Sequence, residues 1–448
     1  VLEVVVIGSL LVANRGEIAR RVIRTARRLG VRTIAVYSEA DAALPFVAEA
    51  DEAVLVGPAN PAQSYRNVEA ILDAAKSTGA EAIHPGYGFL SENADFARTV
   101  ESNGLIWVGP GADAITAMGD KINARNLMAA AGVPVAPGTI DPATTVEAAV
   151  EAAALVGYPI MVKASAGGGG MGMGVATDEA ALRTEYEKIR AFAERMFGDG
   201  SVLLERYFPR VRHIEVQILG LADGRVVALG ERECSVQRRN QKVLEETPSP
   251  AVDGALRTRL MAAAVRAGEA VGYRNAGTVE CLLDPTTGEF FFLEMNTRLQ
   301  VEHPITEAVY GVDLVEEQLR VASGLAPTFN ALDRNGHAIE LRINAEDPKR
   351  FLPGPGAITA WTEPTGDGVR VDSGYAAGTT VTPFYDSLMA KLIVWGPDRP
   401  TAIERAKAAV AGFEIAGPKC NLPFFAEVLD NPEFVSGDYD TGIVGRMR

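Results

Sequence analysis

Leu10-Leu11-Val12-Ala13-Asn14-Arg15-Gly16-Glu17 opens on four apolar residues and turns polar at Asn14. The apolar run reads as a short buried strand. Ile18, Val22 and Leu29 then recur on one face of a helix, and Gly30 supplies its stop. Thr33-Ile34-Ala35-Val36-Tyr37-Ser38 reads as the next strand, and strand and helix signals alternate to about Gly109. That alternation predicts a parallel sheet and an α/β fold class. No GxGxxG fingerprint follows the first strand, which disfavours a generic Rossmann reductase.

Outward from this segment, the 448 residues allow about three domains. Hydrophobic residues are 47% and charged residues 23%, ordinary values for chains with substantial cores. The net charge of −15 opposes non-specific nucleic-acid binding, though a local basic pocket can still hold phosphates. Cys234, Cys281 and Cys420 form no CxxC pair, which fits a reducing compartment better than a disulfide framework. No His/Cys spacing suits zinc, no apolar run reaches membrane-spanning length, and no signal peptide is read at the start. The cytoplasm is the expected location.

A second region begins at Met118-Gly119-Asp120-Lys121, passes a Pro-rich hinge at Val133 to Gly138, and reaches a strand at Tyr158 to Lys163. The glycine run Gly167, Gly168, Gly169 and Gly170 precedes a short strand, Met173 to Ala176. A glycine loop between strands can fold its N–H groups over phosphates, and it equally suits a plain surface hairpin. A helix follows, with Leu182, Tyr186, Ile189, Phe192 and Met196 on one side and Asp178 or Thr177 as cap. A third region begins near Gly336 and carries more strands, then a helix around Thr401 to Phe413.

The most informative stretch is Glu294-Met295-Asn296-Thr297-Arg298-Leu299-Gln300-Val301-Glu302. Read as a strand, it puts Glu294, Asn296, Arg298, Gln300 and Glu302 on one face. A solvated edge strand would alternate in the same way, but the apolar Phe290 to Leu293 upstream points to an enclosed cleft. Thr278 to Leu282 adds Glu280, an isolated carboxylate in an apolar strand. Carboxylate and amide oxygens on neighbouring strands suit Mg²⁺. The cation-rich segment Glu231 to Lys242 could be a solvated face or part of an anion site.

Together these motifs resemble the biotin carboxylase family of ATP-grasp enzymes over almost the whole chain. The resemblance rests on Val12 to Ala19, His84-Pro85-Gly86-Tyr87-Gly88-Phe89-Leu90-Ser91-Glu92-Asn93 and Met118 to Lys121. It continues through Lys163-Ala164-Ser165 with the glycine loop, Glu231 to Lys242, Glu294 to His303, Arg342 to Pro348 and Phe384 to Leu392. It implies an N-terminal Rossmann-like pre-ATP-grasp domain over 1–117 and an ATP-grasp domain over 118–334 with a mobile lid at about 135–208. A C-terminal biotin carboxylase domain would occupy 335–448.

The implied reaction uses MgATP (Mn²⁺ being an alternative ion) to phosphorylate bicarbonate, then carboxylates biotin held on a separate carrier. By resemblance, Glu302 is the base, Lys242 and Arg298 bind bicarbonate with Gln300 and Val301, and Arg342 stabilises the biotin oxyanion. Lys121 and Lys163 hold ATP phosphates under the glycine lid. Glu205, Arg206, Phe208, His213, Gln237, Asn240 and Leu282 line the adenine and ribose pocket. Glu280, Glu294 and Asn296 hold the metal. Met171 and Gly174 stand where the family commonly has basic residues.

No Ala-Met-Lys-Met biotinylation motif occurs, so the expected partners are a biotin carboxyl carrier, a carboxyltransferase and a second copy of the chain. No nucleic acid or membrane partner is expected. The resemblance leads to the first half-reaction of an acyl-CoA carboxylase. Its alternatives are the corresponding portion of a pyruvate carboxylase-like enzyme, a carbamoyl phosphate synthetase-like ligase, and a silent nucleotide-binding subunit.

Overall fold

The computed structural model describes residues 6–165 and 172–448. Strands β1 (Ser9–Val12), β2 (Arg32–Ser38), β3 (Glu52–Gly57), β4 (Ala82–His84) and β5 (Ile106–Trp107) form a parallel sheet in the order β3-β2-β1-β4-β5. Every residue of β1 is buried, as expected for a central parallel strand covered on both faces. The helix Gly16–Arg28 follows at the point where the strand order reverses, with Ile18, Ala19, Val22 and Ile23 in the core. Asn14 closes this turn by donating Nδ2 to the carbonyls of Pro85 and Tyr87, both at 2.7 Å. The C-terminal part of the chain approaches the turn so closely that a Cβ on Gly374 would lie 2.6 Å from the Glu17 nitrogen.

The middle of the chain holds β6 (Ile160–Ala164), β7 (Met173–Ala176) and β8 (Val202–Arg206) in an antiparallel sheet ordered β7-β6-β8. The helix Glu179–Phe197 packs on it through Leu182, Tyr186, Ile189 and Ala193, and Asp178 caps the helix by accepting from the Ala181 nitrogen. Met196, expected on the buried side, is 55% exposed, because the apolar contact ends at Ala193 and the last turn stands in solvent. The glycine run Gly167 to Gly170 and Met171 lie outside the described residues.

The strands that build the site are β9 (Arg212–Gly220), β10 (Val226–Arg238), β11 (Gln241–Thr247), β12 (Asn275–Leu283), β13 (Phe290–Asn296) and β14 (His337–Asn344). They are followed by β15 (Gly356–Ala357), β16 (Ala360–Thr362), β17 (Val369–Ser373), β18 (Thr380–Val381), β19 (Leu388–Gly396) and β20 (Glu414–Ala416). Eight of these make one antiparallel sheet, ordered β13-β12-β9-β10-β11-β14-β19-β17. The expected boundary at 334/335 falls between strands of this single sheet, which runs unbroken from β11 to β14 with Glu245 opposite Glu340. Ile339, Leu341 and Ile343 of β14 share a core with Ala402, Ile403 and Ala406 of the helix Arg399–Gly412. Ala338, Glu340 and Arg342 alternate to the opposite face. Among the described residues no helix is long and apolar enough to cross a membrane.

Candidate active site

Lys242 is the hub of the site. Its strand begins just after a two-residue turn in which Arg239 and Asn240 both have positive φ, 50° and 65°. The ammonium donates to Glu215 Oε2 at 2.5 Å, Glu280 Oε1 at 2.7 Å and Glu302 Oε1 at 2.9 Å. An ammonium has three protons, and each finds a carboxylate. Burial opposes the charge of Lys242, but Glu215, Glu280 and Glu302 overcome it and raise the pKa. The other oxygen of Glu215 accepts from Arg232, which is fully buried and also reaches Gln217, Thr306 and Thr278.

Glu302 is fully buried between two cations. Arg342 Nη2 donates to its Oε2 at 2.9 Å and lies 2.6 Å from Glu245 Oε1. Desolvation alone would favour the neutral acid of Glu302. Lys242, Arg342 and Arg232 outweigh it and hold the carboxyl well below the usual range.

The polar row 294–302 is not one strand. β13 ends at Asn296, and residues 297–302 form a loop that enters the helix His303–Tyr310. Pro304 in the first turn of that helix lacks the N–H that a continuing ladder would need. The five polar side chains still converge, through the bend instead of the pleat. Arg298 donates Nε to Glu92 at 3.0 Å, Nη1 to Gln300 Oε1 at 3.0 Å and Nη2 to Asn296 Oδ1 at 2.8 Å. The amides of Asn296 and Gln300 both donate to Glu280 Oε1, at 2.8 and 3.0 Å. The Val301 carbonyl accepts from Lys391 Nζ at 2.9 Å.

Glu280 and Glu294 face each other across β12 and β13. Burial and then the Glu280 charge raise the pKa of Glu294. Glu280 moves the other way, since Lys242 and His213 overcome its burial, and His213 Nε2 lies 2.7 Å from its Oε2. Two adjacent carboxylates with the amide oxygen of Asn296 form an all-oxygen donor set, with the charge of Lys121 acting on its Glu294 side. That suits a hard divalent cation. Two other acid clusters, His213-Glu215-Glu280 and Glu215-Cys234-Glu302, have ligand-like spacing. Both contain Glu215, whose two oxygens are already taken by Lys242 and Arg232, so both read as ion-pair nodes.

Of the remaining expected residues, Gln237 and Leu282 adjoin this cluster through His213, and Lys121 through Glu294. Gln237 Nε2 lies 2.8 Å from His213 Nδ1, and Leu282 stands opposite His213 in the sheet. Phe208 stacks on Phe291 with centroids 4.9 Å apart. Lys163 pairs with Glu205 between β6 and β8, and Arg206 donates to the Val156 carbonyl at 3.4 Å. Lys121 opens the helix Lys121–Ala130, and its charge acts on Glu294. Asn240 is exposed at its turn and makes no side-chain hydrogen bond with the described residues. The segment Glu231 to Lys242 is no solvated face: only Arg239, Asn240 and Gln241 are exposed.

The motifs assigned no role to Glu92, Glu215, Glu245 and Lys391, which touch expected residues, or to Arg232, which bonds Glu215. One signal was available. His213, Glu215 and Gln217 alternate with Ile214, Val216 and Ile218 along β9, so three polar groups share one face.

Residues 6–115 match the family described as biotin carboxylase, N-terminal domain, and residues 340–446 match biotin carboxylase C-terminal domain. Residues 120–328 match carbamoyl-phosphate synthase L chain, ATP binding domain. The chain is 51% identical over 435 residues to biotin carboxylase 2 of Bacillus subtilis, covering 97% of this chain and 98% of that one. It is 50% identical over 443 residues to a pyruvate carboxylase subunit of Methanothermobacter thermautotrophicus, covering 98% and 90%. A biotin carboxylase–β,γ-ATP complex from Campylobacter jejuni superposes with a TM-score of 0.94 at 44% identity, covering 98% and 99%. The biotin carboxylase domain dimer of Hydrogenobacter thermophilus 2-oxoglutarate carboxylase, with MgADP, ADP and bicarbonate, superposes with 0.93 at 44% identity, covering 98% and 97%.

Proposed function

The chain belongs to the biotin carboxylase family of ATP-dependent ligases, and from that premise we propose that it carboxylates carrier-bound biotin from MgATP and bicarbonate. The observation that carries this reading is the buried Glu302 held between Lys242 and Arg342. Bicarbonate is an anion and a poor nucleophile. It needs cations to bring it in and a base to take its proton. Lys242 and Arg298 supply the charge, with the Gln300 side chain and the Val301 backbone beside them. Glu302 takes the proton.

Held by two cations, Glu302 is a weak base. Bicarbonate drawing Lys242 toward itself removes part of that hold and raises the proton affinity of Glu302 as the reaction begins. The deprotonated oxygen then attacks the γ-phosphorus and ADP leaves. The resulting carboxyphosphate collapses to CO₂ and phosphate, phosphate takes the ureido proton, and the nitrogen attacks CO₂. Arg342 meets the negative charge that builds on the ureido oxygen.

Lys121 and Lys163 suit the phosphates, with the glycine run Gly167 to Gly170 as lid. Glu205, Arg206, Phe208, His213, Gln237, Asn240 and Leu282 suit the nucleoside. Mg²⁺, held by Glu280, Glu294 and Asn296, would neutralise charge during phosphoryl transfer. Each chain of a homodimer would work with a biotin carrier and a carboxyltransferase, passing the carboxyl group to an acyl-CoA. A keto-acid acceptor is the second reading, favoured by the 50% identity to a pyruvate carboxylase subunit. Phosphate release with ATP, Mg²⁺, bicarbonate and free biotin tests the half-reaction. Stimulation by biotin supports it, and no response to bicarbonate and biotin refutes it.

A further inference from the structure

Behind Arg342 lies a carboxyl group that the reaction scheme leaves unused. Glu340 is fully buried, and neither of its oxygens has a hydrogen-bond partner among the described residues. It stands opposite Glu245 on β11 and opposite Ile393 on β19, and Arg342 follows it two residues along the same face. Directly opposed side chains on one antiparallel face lie about 5 Å apart at Cβ. The nearby charges are otherwise engaged. Lys391 of β19 binds the Val301 carbonyl and Glu17, Arg342 binds Glu302 and Glu245, and Lys242 binds its three carboxylates. On the helix His303–Tyr310, Ile305 and Val309 pack with Ile393, Glu307 is taken by Arg21 and Arg370, and His303 binds the Gln300 carbonyl. Among the described residues, no cation pairs with Glu340.

Resting on the function proposed above, we propose that Glu340 is a positioning residue for Arg342, kept as the neutral acid so that Arg342 faces only the charges of Glu245 and Glu302. A buried carboxylate without a partner is strongly disfavoured, so the proton stays on Glu340. Burial pushes its pKa well up; Lys391 opposes this and Glu245 adds to it, while Glu245 itself is raised to about 7. If Glu340 ionised, an uncompensated charge would sit behind Arg342. It would draw the guanidinium off the ureido oxygen and repel each anion formed in front of it. The pair therefore limits the site at alkaline pH.

The test is infrared spectroscopy of the purified full chain, combined with the pH profile of biotin-dependent turnover. The wild-type chain should show the carbonyl stretch of a buried protonated carboxyl group at neutral pH, and Glu340→Gln should lack it. The alkaline fall in kcat should move to higher pH in Glu340→Gln, since its amide cannot ionise. Glu340→Met, neutral and of similar length, gives the same two readouts if the glutamine variant fails to fold. An unchanged band or an unchanged alkaline limb overturns the proposal. Loss of bicarbonate- and biotin-dependent turnover in the wild-type chain would instead overturn the functional reading, while the infrared band would still decide the state of Glu340.

Discussion

Lys242 Nζ and Glu302 Oε1 are 2.9 Å apart, while the second oxygen of Glu302 takes Arg342. The carboxylate is thus clamped at both ends in the protein interior, shielded from bulk solvent. In its proposed role as base, Glu302 gains proton affinity when an arriving anion loosens one of its cations. On that proposal, proton transfer is conditional on substrate.

Replacing Glu302 by Gln keeps its shape and removes the proposed base. Turnover should fall by about 10²- to 10⁴-fold, the usual share of a positioned base. Nucleotide affinity, measured by calorimetric titration, should survive, because the residues proposed for the phosphates and nucleoside are untouched. Full turnover in this variant would move the base elsewhere.

Arg342→Ala separates the two halves of the reaction. Carboxybiotin formation should drop by about 10²-fold or more, as for loss of an oxyanion donor. Some bicarbonate-dependent ATP hydrolysis should persist, since the residues proposed for the metal and nucleotide remain. Parallel assays of the two products decide it, and the assigned role fails if both rates match wild type.

Glu294→Gln should weaken the response to Mg²⁺. The concentration needed for half-maximal turnover should rise by at least the roughly 10-fold that even an outer-shell loss costs. A magnesium titration at saturating ATP reads this directly, and an unaltered curve would strike Glu294 from the ligand set.

Glu246 ties β11 to β14 and to the C-terminal helices. It accepts from Arg399 Nε at 2.7 Å and Nη2 at 3.0 Å, lies 2.6 Å from His337 Nε2, and accepts from the Tyr439 hydroxyl at 2.5 Å. Burial would raise its pKa, but His337 and then Arg399 lower it to about 2. The carboxyl is harder to protonate folded than unfolded, so its contribution is full above about pH 4.3 and is lost as pH falls toward about 2. Glu246→Ala should cost about 3–5 kcal/mol at neutral pH by leaving Arg399 unpaired. It should also flatten the acid limb of stability, both read by denaturant unfolding across pH. An acid limb as steep as wild type would assign the loss to other carboxyls.

Local pattern was enough for much of the fold. Strand β1 and the helix after it show their periods within about twenty residues, and the Asp178 cap and the Gly30 stop are single-residue signals. The polar identities at 294–302 were legible too, but their path was not. Alternation persists whether a chain runs straight or bends, and only packing put the strand end at Asn296.

By itself, the sequence determined which groups could do chemistry and the order in which they occur, because composition and short-range periodicity are local properties. Tertiary structure alone decided that Glu215, Glu245, Glu302 and Lys242, spread over nearly ninety residues, share one buried ion-pair network. It alone left Glu340 without a partner among the described residues. Charge pairing and desolvation depend on distances through space, and those are set by the register of strands far apart in the chain.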